Sequence, residues 1–124
     1  MVEFNGKKYG FMLTTGAYLK IRNMCPEKDT KRIAEALFTD DEEKALSAQM
    51  QFAAYLNEGY AEFSAIMGRK ADTFDVSKMS AIPMQLYIKI KDAAIEAYTQ
   101  GQNGEIDAEI VVDESKNAQT EAEA

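Results

Sequence analysis

The sequence predicts a mainly α-helical domain opened by a short N-terminal β-hairpin, an α+β chain that ends in an acidic tail. Three observations carry this prediction. Asn5-Gly6 joins two short alternating runs, two long stretches repeat apolar residues at helical spacing, and the negative charge gathers in the last 20 residues. The length suits one domain, and with 46% apolar residues the chain can build a core. The division predicted is a helical domain over 1–103 and a flexible acidic tail over 104–124.

The hairpin comes first. Val2 and Phe4 alternate with polar neighbours before Asn5-Gly6, and Tyr9, Phe11 and Leu13 alternate after it. Asn-Gly suits the positive φ angles of a two-residue hairpin turn. A lone hairpin is marginal in water, so this one must pack on helices or join a larger sheet, and its edges are open to another chain. Thr14 or Thr15 caps a first helix over about 16–24, with Ala17, Tyr18, Ile21 and Met24 inward. Pro26 ends it, because the residue before a proline is pushed out of helical geometry. A short second helix over about 29–38 carries Ile33, Ala34, Leu37 and Phe38.

The third helix is the longest, over about 40–68. Thr39 and Glu42 form a capping-box pattern, Asp40 to Glu43 place negative charge in the first turn, and Gly68 closes the helix. Residues 69–76 read as a loop. Ser77 or Ser80 starts a fourth helix, Pro83 fits its first turn, and Gly101 suits its C-terminal cap. The remaining segment is acidic and poor in large apolar residues, which predicts a tail without fixed structure. The exception is Ile106, Ile110, Val111 and Val112, a candidate short strand or docking segment.

Both long helices are apolar over a wide arc. Leu46, Met50, Ala53, Tyr60 and Met67 form one stripe of the third helix; Phe52, Leu56, Phe63 and Ile66 form the next. Together they span roughly 200°, against the ~100° that a surface helix needs. In the fourth helix Met84, Ile88, Ile95 and Tyr98 form one stripe, and Leu86, Ile90, Ala94 and Ala97 the other. Either both helices are central and wrapped by the remaining elements, or one stripe builds the core and the other meets a partner or a second copy. The candidate partner-binding residues are Phe52, Tyr55, Phe63 and Met67. Tyr55 is chosen because it falls on the polar side of its helix as an aromatic expected to be exposed.

Charge and composition exclude several functions. The net charge is −7, and residues 105–124 hold seven acids and one Lys, leaving 14 acids and 13 bases in residues 1–104. A body without basic surplus is poorly suited to nucleic acid or to an anionic membrane surface. No apolar run is long enough to span a bilayer, the N-terminus does not read as a signal peptide, and a single cysteine, Cys25, excludes an internal disulfide. The cytoplasm is the expected compartment. There is no histidine, which removes the usual general base and the commonest metal ligand. Cys25 lies at a helix end where the dipole does not favour a thiolate. The acids of 40–43 lack the spacing and glycine of a calcium loop. No catalytic, cofactor or metal site is predicted, and the chain reads as a protein-binding module, not an enzyme.

The opening Phe4-Asn5-Gly6-Lys7-Lys8-Tyr9-Gly10-Phe11, running into Leu13-Thr14-Thr15-Gly16-Ala17, resembles the start of tail assembly chaperones of long-tailed bacteriophages and prophages. The layout of short helices, one long helix, and a last helix followed by an acidic tail is also similar to theirs. The resemblance implies a non-enzymatic protein that binds the helical, aggregation-prone tape measure protein, keeps it soluble and helps recruit tail tube subunits. A homo-oligomer is compatible with the wide apolar faces. The resemblance also implies a longer product made by programmed frameshifting, and Ser115-Lys116-Asn117 is compatible with an A-AAA-AAC slippery site. Two other function classes fit the composition: a structural tail or connector subunit of the virion, and a small cytosolic adaptor unrelated to phage.

Overall fold

The computed structural model describes residues 1–104. The Ile106, Ile110, Val111 and Val112 segment, Ser115-Lys116-Asn117 and nearly all of the predicted tail lie outside the described residues. Strands β1 (Val2–Phe4) and β2 (Lys7–Tyr9) form an antiparallel hairpin in which Val2 faces Tyr9 and Phe4 faces Lys7. Asn5 and Gly6 both take positive φ, as the tight turn requires. The strand stops at Tyr9. Beyond it, Gly10 to Thr14 cross the long helix α3 (Glu42–Ile66), and Met12 donates its backbone N–H to the Leu56 carbonyl at 3.0 Å. Gly59 permits this crossing, since a Cβ there would stand 2.8 Å from the Met12 carbonyl oxygen.

Helix α1 (Thr15–Met24) begins where Thr14 Oγ1 accepts from the Ala17 N–H, and it buries Ala17 and Ile21. It ends at Cys25, ahead of Pro26. The continuous second helix predicted over 29–38 is corrected. Two 3₁₀ turns, Pro26–Lys28 and Thr30–Arg32, precede a short helix α2 (Ile33–Leu37). Glu27 and Lys28 take left-handed φ, and Asp29 caps the following turn through the Lys31 N–H. Arg32 bridges Glu27 at 3.0 Å and Glu35 at 2.9 Å. Leu37 is buried, but Ala34 and Phe38 face outward.

The cap of α3 is Asp41, whose Oδ1 accepts from the Lys44 N–H at 3.2 Å, and not Thr39. Asp outranks Thr as a cap, and here it sits two residues closer to the helix. At the other end Gly68, at φ 78°, sends its N–H to Ala65, and Arg69 sends its own to Ser64. These two bonds make the Schellman closure that Gly68 predicts.

The fourth helix of the prediction is two. Helix α4 (Val76–Met79) is a single turn capped by Asp75, and α5 (Met84–Gln102) starts after Pro83. Pro83 has an extended ψ of 143° and stands just outside α5 instead of within its first turn. Proline disfavours helical geometry at Ile82, so no helix runs through it. Gly101 also has another role than the predicted cap. It lies inside α5, where a Cβ would meet Leu13 Cβ at 2.6 Å; the left-handed residue beyond the helix is Gly104.

Helix α3 is central. It packs against α1 and α2 and against α5, so Phe52, Ala53, Leu56 and Tyr60 are all buried although they occupy different sides of the helix. Phe52 meets the Tyr98 ring edge-on at 5.4 Å. For most of its length, then, the wide apolar arc of α3 is that of a wrapped helix. Only the last turn emerges, with Ile66 81% exposed. In α5 the stripe of Met84, Ile88, Ile95 and Tyr98 divides along its length, its later residues turning to the core. Ile90 and Ala94 are in the core with Tyr87 and Tyr98, while Met84 and Ile88, one turn apart, face solvent. Among the described residues no helix is long and apolar enough to cross a membrane.

Candidate functional site

The site is organised by a buried amide. Asn57, on the inner side of α3, donates its Nδ2 to the carbonyls of Gly10 at 2.9 Å and Asp72 at 3.2 Å, and its Oδ1 accepts the Phe74 N–H at 2.9 Å. One side chain thus ties the exit of the hairpin and the loop before α4 to the same turn of α3. All the hydrogen-bonding capacity that burial would penalise is used, except one lone pair of Oδ1. Asp72 adds a second tie, accepting the outward N–H of Lys8 on the edge of β2.

These ties bring the inner face of the hairpin over the 73–82 segment. Side chains alternate along a strand, so Val2, Phe4, Lys7 and Tyr9 share that face. Val2 and Tyr9 are buried, and Tyr9 stacks on Phe74 with centroids 3.9 Å apart and planes at 17°. Towards the turn the face lifts away. Phe4 and Lys7 overhang a groove of about 310 Å³ whose other wall is built from Phe74, Asp75, Lys78, Met79 and Ile82. Phe4 remains 39% exposed, so its ring is available at the lip. Val76 and Met84, both exposed, are close in sequence to the lining residues.

The groove is apolar at its floor and charged at its rim. Asp75 accepts from the Oγ and N–H of Ser77, which hold its carboxyl below the usual range with help from the Lys78 ammonium. Among the described residues no carboxylate lies within ion-pair distance of the Lys7 or Lys78 ammonium. The net character is apolar with cationic margins. Such a surface accommodates an apolar segment flanked by acids. Among the described residues no three Cys, Asp or Glu side chains gather as a metal would require.

The residues expected from sequence to bind a partner are not brought together. Phe52 is 2% exposed and belongs to the core, a correction that follows from α5 covering its stripe. Tyr55 is not an exposed aromatic: it is half-buried against the core, with the Lys20 ammonium 5.8 Å from its ring centre. Phe63 is half-buried, and Met67 is 50% exposed at the C-cap of α3. Fifteen residues of helix separate Phe52 from Met67, about 22 Å. The groove residues escaped the sequence reading because Phe74 and Ile82 sit in irregular segments without periodicity. The signals present were the hairpin edge and the isolated Phe74 within a polar loop.

A second buried amide stiffens the opposite side. Gln49 donates Nε2 to the Leu37 carbonyl at 2.7 Å and accepts the Tyr87 hydroxyl at 2.6 Å, joining α2 and α5 through α3. Burial pushes the Tyr87 phenol up to about 12. Cys25 is also buried, its thiol donating to the Ile21 carbonyl, and burial raises its pKa. No protein-family model matches the chain, and neither a curated protein nor a solved structure matches it significantly.

Proposed function

We propose that the chain is a non-enzymatic assembly chaperone of the phage-tail type, acting in the bacterial cytoplasm by holding an apolar segment of a helical client. The reading rests on the sequence resemblance and on one structural observation, the open groove between the hairpin and α4 with exposed Phe4 at its lip. Phe4, 39% exposed at that lip, adds apolar surface to the groove, which is what a binding module presents. The client that the resemblance implies is the helical tape measure protein, held as an amphipathic helix is held in a groove. Tail tube subunits are recruited to the resulting complex. A frameshifted longer product, starting near Ser115-Lys116-Asn117, belongs to the same proposal and is decided by the DNA over those codons.

Co-expression tests the proposal. A candidate tape measure protein is expected to stay soluble and to co-purify with this chain; a client that remains insoluble in its presence removes the reading. Mass spectrometry of purified tails separates a chaperone, absent from finished particles, from a structural subunit present in many copies.

A further inference from the structure

The apolar, lysine-flanked groove has a complement in the chain itself. Glu109-Ile110-Val111-Val112-Asp113-Glu114 is three apolar residues bracketed by acids. The groove is an aromatic and aliphatic floor with Lys7 on one wall and Lys78 on the other. We propose that this segment docks in the groove of its own chain and covers it until a client displaces it.

Charge and reach both support this occupant. Residues 105–114 carry five acids and no base, against two lysines and one aspartate in the groove. Gly101, near the end of α5, abuts Leu13, which is four residues along the chain from Tyr9 at the groove. Four residues span at most ~14 Å, whereas the six from Gly104 to Ile110 extend to ~20 Å. A short tether also gives the segment a millimolar effective concentration, so a weak contact is enough to populate the covered state. No other apolar run occurs in residues 105–124. The inference takes the groove as a binding surface, as above, but does not depend on the identity of its client.

The test is a nitroxide at Ala108→Cys in the full chain, read by amide resonance intensities. Cys25 is buried, so the label goes to position 108. The expected result is selective loss of intensity at Lys7, Phe74 and Lys78. That loss disappears in Lys7→Glu/Lys78→Glu, and also in Ile110→Asn/Val112→Asn, which leaves the folded body untouched. Full intensity at these amides overturns the proposal. So does loss that survives either double variant, or loss seen only when labelled and isotope-enriched chains are mixed, which reports contact between copies. Failure here with the client still solubilised removes the tail contact alone; an insoluble client with the broadening present removes the client reading alone.

Discussion

The Asn57 side-chain amide lies 2.9 Å from the carbonyl oxygen of Gly10, across 47 residues of sequence. That bond, with those to Asp72 and Phe74, sets the hairpin over the 73–82 segment and so creates the groove. Removing the amide leaves one buried acceptor, at Gly10, and a part-buried acceptor and donor, at Asp72 and Phe74, without partners. Asn57→Ala is expected to destabilise the fold by roughly 2–4 kcal/mol. Urea denaturation measures it, and because the lost bonds hold the hairpin, amide exchange of β2 should accelerate more than that of α1. A loss below about 0.5 kcal/mol, the level of an ordinary surface change, contradicts the role assigned to Asn57.

Gly101 provides a test in the opposite sense to helix propensity. Alanine is favoured over glycine inside a helix by about 1 kcal/mol. At this position its Cβ meets Leu13 Cβ at 2.6 Å, an atom fixed to the backbone that cannot rotate away. Gly101→Ala is therefore expected to destabilise by about 1–3 kcal/mol. Thermal melting that shows stabilisation shows that the Leu13 segment is not held against α5.

Phe52 and Met67 distinguish core from surface on one helix. Phe52→Glu places a carboxylate among Tyr98 and the α3–α5 core, and the chain is expected to lose its cooperative unfolding transition. Met67→Glu, at a half-exposed cap, should stay within about 0.5 kcal/mol of the parent. Circular dichroism during a urea titration reads both.

These contrasts indicate what the residues show before any fold is known. Local chemistry was legible: Asn5-Gly6 as a turn, Thr14 as a cap, Pro26 as a stop, Gly68 as a closure. Where two residues of similar chemistry competed nearby, Asp41 displaced Thr39 and Gly104 displaced Gly101, because hydrogen-bond geometry and the space beside Leu13 decide between them. The width of the apolar arc on α3 was legible, but what covers it was not, so Phe52 read as a possible surface residue. The groove was hidden for a related reason. It forms between segments joined by Asn57, a polar residue in an apolar helix whose partners are two backbone stretches far away in sequence.

Tyr87 gives the chain an alkaline signature. Its phenol is raised by burial to about 12, while the unfolded chain ionises near 10. The neutral phenol is thus favoured in the fold, and this contribution is complete below about pH 10 and is lost between about pH 10 and pH 12. Tyr87→Phe is expected to flatten the fall in stability over that window. At neutral pH it costs about 1–2 kcal/mol, since Gln49 Oε1 loses its donor. Denaturation midpoints from pH 9 to pH 12, compared between parent and variant, check the slope; an equal slope in both shows that another group sets it.

The central claim is that the surface around the groove holds a helical client, and the direct measurement is co-expression with the tape measure protein using Phe4→Glu/Met84→Glu. Both positions are exposed, at 39% and 57%, so the fold should persist, as circular dichroism can verify. The expected result is a client soluble with the parent chain and insoluble with the folded variant. A client kept equally soluble by both contradicts the placement of the binding surface, and a client insoluble with the parent chain contradicts the function.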